Sequence, residues 1–210
     1  MSPFQRLVAT RRMRRAFRPD AVDDAVLDRI LATAMRAPSA GNSQGWHFVV
    51  LTGAETAVFW DRTLPPERRS GFRWPELLVA PVLVLPFADP AAYTDRYAEP
   101  DKAATGLGAG SHAWPVPYWT VDTAMAVQLL LLAAHDEGLG ALFFAVFRAE
   151  REVRTALGVP DQLELLGAVA LGHPAPDEPG RSATRPRRPL ESVVHRGRWR
   201  PELGGATPAP

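Results

Sequence analysis

The chain has 210 residues, 46% of them hydrophobic and 22% charged, with 24 basic against 23 acidic side chains and no cysteine. That is enough apolar sequence for one sizeable domain, and it excludes wholesale disorder. A net charge of +1 argues against a dedicated nucleic-acid binder, and the missing cysteine excludes disulfide frameworks, thiolate metal sites and cysteine nucleophiles.

The N-terminus carries Arg6, Arg11, Arg12, Arg14 and Arg15 with no apolar core behind them, so no signal peptide is expected and the cytoplasm is the default address. A short helix is predicted over residues 3–12, with Phe4, Leu7 and Val8 facing inward. Asp23 reads as an N-cap, and Val26, Leu27, Ile30, Leu31 and Ala34 follow at helical spacing, which predicts an amphipathic helix over 23–36. Trp46–Leu51 and Leu77–Phe87 read as buried strands, although Pro81 and Pro86 count against the second. Residues 88–118, rich in Pro, Gly, Ala and Asp, read as a long loop of the lid or binding type. Trp119–Leu132 is strongly apolar, but Asp122, Gln128 and His135 interrupt or flank it, and its apolar runs fall short of the ~20 residues of a membrane span. It reads as a buried helix, ended by Gly138 and Gly140. Ala141–Phe147 and Leu163–Gly172 are further strands, with a short helix over Glu150–Leu157 between them. Residues 173–192 read as an extended Pro- and Arg-rich arm over the surface. One domain is expected over residues 1–200, followed by a flexible tail over 201–210. The mixture is α+β, with too few β–α alternations for a doubly wound sheet.

Two segments carry polar chemistry. Arg11-Arg12-Met13-Arg14-Arg15-Ala16-Phe17 packs four guanidinium groups into five positions. It suits either a solvated basic face or a site for an anion with several oxygens, of which phosphate fits the guanidinium fork best. Ala37-Pro38-Ser39-Ala40-Gly41-Asn42-Ser43-Gln44-Gly45-Trp46 joins a helix to a strand. It is either a plain turn or a loop whose small residues admit a planar heterocycle, with Ser39, Asn42 and Gln44 to hydrogen-bond it. The five histidines lack metal-type spacing. Asp122 and His135, thirteen helical positions apart, are separated by ~20 Å and cannot act on one bond.

Taken together, Arg-Arg-x-x-Arg-x-Phe and Ala-Pro-Ser-Ala-Gly-Asn-x-Gln-x-Trp resemble the nitroreductase family of FMN-dependent oxidoreductases. The resemblance continues through Asp122–Gly140, with Leu-Leu-Leu-Ala-Ala and then Glu-Gly-Leu-Gly, and into Arg185-Pro186-Arg187-Arg188-Pro189-Leu190. It implies an α+β fold with a central mixed or antiparallel sheet flanked by helices, in an intertwined homodimer with FMN at the interface. By the same resemblance, Arg11, Arg12, Met13 and Arg15 line the FMN of their own subunit, Arg11 at the phosphate and Arg15 near the polar edge of the ring. Pro38, Ser39, Ala40 and Asn42 are expected from the second subunit. Arg185 and Arg187 are expected to join Arg11 at the phosphate, and a backbone N–H within Phe144, Ala145 and Val146 to serve the flavin N5. The sequence departs from the family pattern at Gly45, where Pro is common and where Gly implies a looser loop, and at Met13, where many relatives have Ser. The segment 143–146 also lacks the acidic residue and the Gly of some members.

The function implied is reduction of electron-poor acceptors such as nitroaromatics or quinones. NADH or NADPH is the expected electron donor, in a ping-pong reaction with no obligatory side-chain catalyst. Alternatives are a cofactor-biosynthesis relative, either a deazaflavin-precursor reductase or an FMN-fragmenting benzimidazole synthase, and a flavin-binding protein without turnover. The expected partners are a second copy of the chain and a small-molecule acceptor, with neither nucleic acid nor membrane.

Overall fold

The computed structural model describes residues 1–176 and 184–200. Contacts divide the chain into two units, Met1–Asp177 and Glu178–Pro210. The first is built around a sheet in the order β1 (Trp46–Thr52), β2 (Val82–Ala88), β5 (Ala168–Gly172) and β3 (Gly140–Phe144), with the two-residue β4 (Glu164–Leu165) also paired to β2. Every strand pair is antiparallel. One isolated parallel bridge, Met13 to Ala141, adds the arginine-rich segment to the β3 edge.

Successive residues of a strand face opposite ways, and β2 uses both faces. Leu83, Leu85 and Phe87 pack with Phe59, Trp60 and Val153, which lie on α3 (Ala57–Thr63) and α6 (Glu150–Ala156). Val82 and Val84 pack with Ile30 of α2 (Asp24–Ala34) and with Val127, Leu130 and Leu131 of α5 (Tyr118–Asp136). A strand covered on both faces needs an unbroken apolar run, and Val82–Ala88 is buried throughout. Pro86 is tolerated inside it for a definable reason. Its carbonyl accepts from Leu166 N–H at 3.0 Å, so its nitrogen points the same way, into the break between β4 and β5 where no ladder partner is missed.

Several expectations change. The predicted strand from Leu77 starts only at Val82, after a 3₁₀ turn at Pro75–Leu77. The predicted strand over Leu163–Gly172 is two strands, broken at Leu166–Gly167, where Gly167 has φ +150°. The third strand stops at Phe144. Residues 88–118 are not a long irregular loop: Asp89 caps α4 (Pro90–Ala98), and 3₁₀ turns at Ala103–Thr105, Leu107–Ala109 and Ser111–Ala113 follow. The Pro and Gly content there reflects closely spaced caps and turns. Helix α1 (Pro3–Thr10) forms with a Ser2–Gln5 capping box but buries none of its residues, and Phe4 and Val8 face solvent rather than inward.

Among described residues of the second unit, Leu190–Ser192 forms a 3₁₀ turn and the His195 ring stacks on Trp199 at 4.1 Å. Residues 177–183 of the predicted arm and 201–210 of the predicted tail lie outside the described residues. No helix among the described residues is long and apolar enough to cross a membrane.

A Cβ built on Gly167 would stand 2.6 Å from the Phe144 carbonyl oxygen. Gly167→Ala should therefore destabilise the protein by about 1–3 kcal/mol from backbone strain alone, read as a drop in thermal midpoint of roughly 2–4 °C per kcal/mol. An unchanged midpoint would show that the β4–β5 break relaxes freely.

Candidate functional site

Helix α5 organises both polar segments. At its N-terminal end Asp122 is 1% exposed, and its Oδ2 accepts hydrogen bonds from Ala40 N–H at 2.8 Å and from the Tyr93 hydroxyl at 2.8 Å. Burying a carboxylate is costly unless hydrogen bonds replace its water, and these two do so. At the other end, His135 Nε2 lies 2.9 Å from Thr10 Oγ1, immediately before the arginine cluster. Thirteen residues at helical rise put ~20 Å between these two anchor points. Within one chain, therefore, the 38–45 loop and the arginine segment sit at opposite ends of α5. The structure does not bring the two predicted residue sets together.

The loop itself is ordered in detail. Gly41, Asn42 and Gln44 have φ of +62°, +57° and +51°. Glycine and asparagine adopt this left-handed conformation readily, glutamine less so. Ser39 Oγ accepts from Gln44 N–H at 2.9 Å and Ser43 Oγ donates to Ala40 O at 2.7 Å. Pro38 and Asn42 are exposed, and Ser39 and Ala40 are half-buried. Gly45 does not loosen the loop. It is buried, its carbonyl accepts from Asp89 N–H at 2.8 Å, and a Cβ there would stand 2.6 Å from the Tyr93 ring.

The arginine segment runs along the β3 edge. Arg14 N–H donates to Ala141 O at 3.0 Å. Met13 packs into the core clusters on both sheet faces, so its backbone and not its thioether is what it can offer a ligand. Arg11 is half-buried at the end of α1, and Arg12 is exposed, with Nη1 donating to Ala9 O at 2.9 Å. The Arg15 guanidinium lies over the Trp74 ring, 5.6 Å from its centroid, and Arg73 lies 5.3 Å from the same centroid. Phe144 stacks on Trp60 at 5.8 Å with 3° between the planes, and Phe144, Val146, Met13 and Trp74 pack against one core cluster. Met13, Phe144 and Val146 thus pack against the same core cluster as Trp74, the ring under Arg15, and Ala145 is exposed. Arg185 and Arg187 are exposed residues of the second unit.

Residues not assigned from the sequence also shape the site. Tyr93 and Arg96 lie on α4, and Arg96 Nε donates to Gly41 O at 2.9 Å while its Nη atoms grip Asp101 at 2.7 and 2.9 Å. The i, i+4 spacing of Tyr93 and Tyr97, which places both on one helix face, was the available signal. The cavity of about 540 Å³ lined by Val22, Thr52, Thr56, Leu78 and Val82 includes none of the predicted site residues.

The Nitroreductase family model matches residues 8–173. The chain is 33% identical over 202 residues to an NADH dehydrogenase of Thermus thermophilus, covering 88% of this chain and 91% of that protein. It is 33% identical over 183 residues to a 5,6-dimethylbenzimidazole synthase of Rhodospirillum rubrum, covering 80% and 81%. The fold is similar, at a TM-score of 0.66 and 24% identity, to a nitroreductase-type protein in complex with FMN from Desulfovibrio desulfuricans, covering 95% of this chain and 99% of that one.

Burial pushes the Tyr93 phenol well above the ordinary tyrosine range, and the hydrogen bond to Asp122 and that residue's charge push it further. The folded protein keeps this proton where the unfolded chain, with the ordinary value of 10.0, releases it. The stabilisation from Tyr93 is therefore complete below that pH and is lost as pH rises beyond it, at up to ~1.36 kcal/mol per pH unit. Urea unfolding between about pH 9 and about pH 11 should show a steeper loss for wild type than for Tyr93→Phe. Parallel curves would contradict the buried phenol.

Proposed function

The chain belongs to the nitroreductase family, and on that premise we propose that it is an FMN-dependent oxidoreductase that works as a homodimer. The observation that carries this reading is the separation along α5. Each end of the helix holds half of a flavin site, and a second copy of the chain running the other way supplies the missing half. Exposed Phe4 and Val8 on α1, Met35 after α2 and Val121 on α5 provide apolar surface for such a partner.

The residues present fit FMN. Arg11, Arg12, Arg14 and Arg15 fall within five positions, and the forked guanidinium group suits a phosphate dianion. Arg11 would hold the phosphate, and Arg12 and the Met13 backbone would line the same end. Arg15, set against Trp74, would place its charge by the ring. Backbone N–H groups of Phe144, Ala145 and Val146 would face N5, and Pro38, Ser39, Ala40 and Asn42 of the second chain would cover the ring. When bound, FMN supplies a two-electron carrier that takes hydride from NADH or NADPH and passes it to an electron-poor acceptor. Donor and acceptor use one site in turn, which gives ping-pong kinetics.

A second reading, fragmentation of FMN to a benzimidazole, is supported by the identity with the Rhodospirillum rubrum synthase. Aerobic incubation with NADPH and excess FMN separates the two: simple turnover leaves FMN intact, whereas fragmentation consumes it.

The purified protein should carry noncovalent FMN, bleach on anaerobic titration with NADH or NADPH, and regain colour with a quinone. Absence of bleaching with both donors would overturn the oxidoreductase reading. The two ends of the arginine segment should also separate. Arg11→Gln should weaken FMN binding by roughly 1.5–3 kcal/mol, the worth of a charged hydrogen bond. Arg15→Gln should leave FMN bound and lower its potential, with about 30 mV for each ~1.4 kcal/mol of lost interaction. Dye-equilibration potentials and FMN titrations distinguish them, and exchanged phenotypes would show the assigned register to be wrong.

A further inference from the structure

Both ends of the 40–45 loop converge on one phenol–carboxylate pair. Ala40 N–H donates to Asp122 Oδ2 at 2.8 Å, and the Tyr93 hydroxyl donates to the same oxygen at 2.8 Å. The Tyr93 ring lies against the other end of the loop, so close to Gly45 that a Cβ there would stand 2.6 Å from its Cε2 and only a glycine fits. Between these two points the chain passes through the left-handed residues Gly41, Asn42 and Gln44. The middle of the loop is held from the same helix, by Arg96 Nε on Gly41 O and by the Tyr97 ring, whose Cε2 would be 2.8 Å from a Cβ at Gly41. Trp114 and Trp119 pack edge-on against Tyr93 at 5.8 and 6.3 Å and fix its ring.

We propose that Tyr93 and Asp122 are positioning residues for the flavin: they clip Ala40 to Gly45 and so set the loop conformation that presents Ser39 and Asn42 to the cofactor. This rests on the FMN reading above. A buried hydroxyl that donates to the carboxylate holding one end of a loop, on a ring packed against the other end, fixes the distance between them without touching the ligand. The clip also accounts for Gly45. The ring of a proline, common at this position in the family, would occupy the space that Tyr93 fills.

Tyr93→Phe keeps the ring beside Gly45 and removes only the hydroxyl. In apoprotein, hydrogen exchange at the Ala40 amide should accelerate, and FMN affinity should fall by about tenfold, the loss of one buried hydrogen bond in binding terms. Asp122→Asn, whose side-chain oxygen still accepts, should bind FMN more tightly than Asp122→Ala, with all variants checked for native near-ultraviolet circular dichroism. Unchanged exchange at the Ala40 amide would overturn the clip, as would wild-type FMN affinity in Tyr93→Phe despite faster exchange. Wild-type protein that takes up no FMN would overturn the flavoprotein reading, and the clip's cofactor role with it. Tight binding by wild type and by Tyr93→Phe alike would overturn the clip alone.

Discussion

A carboxylate in the interior is expensive unless its oxygens are occupied, and in this protein the occupation of Asp122 determines where everything polar lies. Its Oδ2 takes one hydrogen bond from the backbone of the 38–45 loop and one from α4, so three separate segments meet at a single atom near the start of α5. Breaking any arm of this junction leaves a buried donor or acceptor without a partner, which is costlier than never having formed the bond. The apolar length of α5 then carries this junction away from the arginine segment, which is anchored near His135 and along β3.

That rigid separation gives the fold its functional logic. The sheet is packed on both faces, through Leu83, Leu85 and Phe87 on one side and Val82 and Val84 on the other, and α5 lies against the second as one continuous helix. Under the reading proposed above, a site needing both sets of side chains would be completed from a second chain. In that homodimer the exposed apolar residues of α1 and α5 would be surface that a symmetric partner covers.

Much of this was legible in the residues. The Asp23 cap with apolar residues at helical spacing gave α2, and the apolar runs gave β1 and the buried α5. What failed had physical causes. Periodicity says that Phe4 and Val8 share a face, but not whether that face meets its own core or another chain. Pro and Gly in 88–118 mark caps and turns as readily as loops, which hid α4. A short helix such as α3, held by Phe59 and Trp60 against the sheet, depends on tertiary packing more than on local propensity. The candidate site was readable as two motifs. Their spatial relation was not, because it depends on the length of α5, and Tyr93 acquires its role only through a partner 29 positions away.

The most direct test of the two-chain site uses mixed dimers of an Arg11→Gln chain and an Asn42→Ala chain, differently tagged and isolated as the hybrid. If each site takes its arginines from one chain and its loop from the other, one site in the hybrid is intact and the other carries both lesions. FMN titration should then show half the wild-type stoichiometry at wild-type affinity. If both sets act within one chain, each site carries a single lesion, and a hybrid with no site of wild-type affinity would contradict the account.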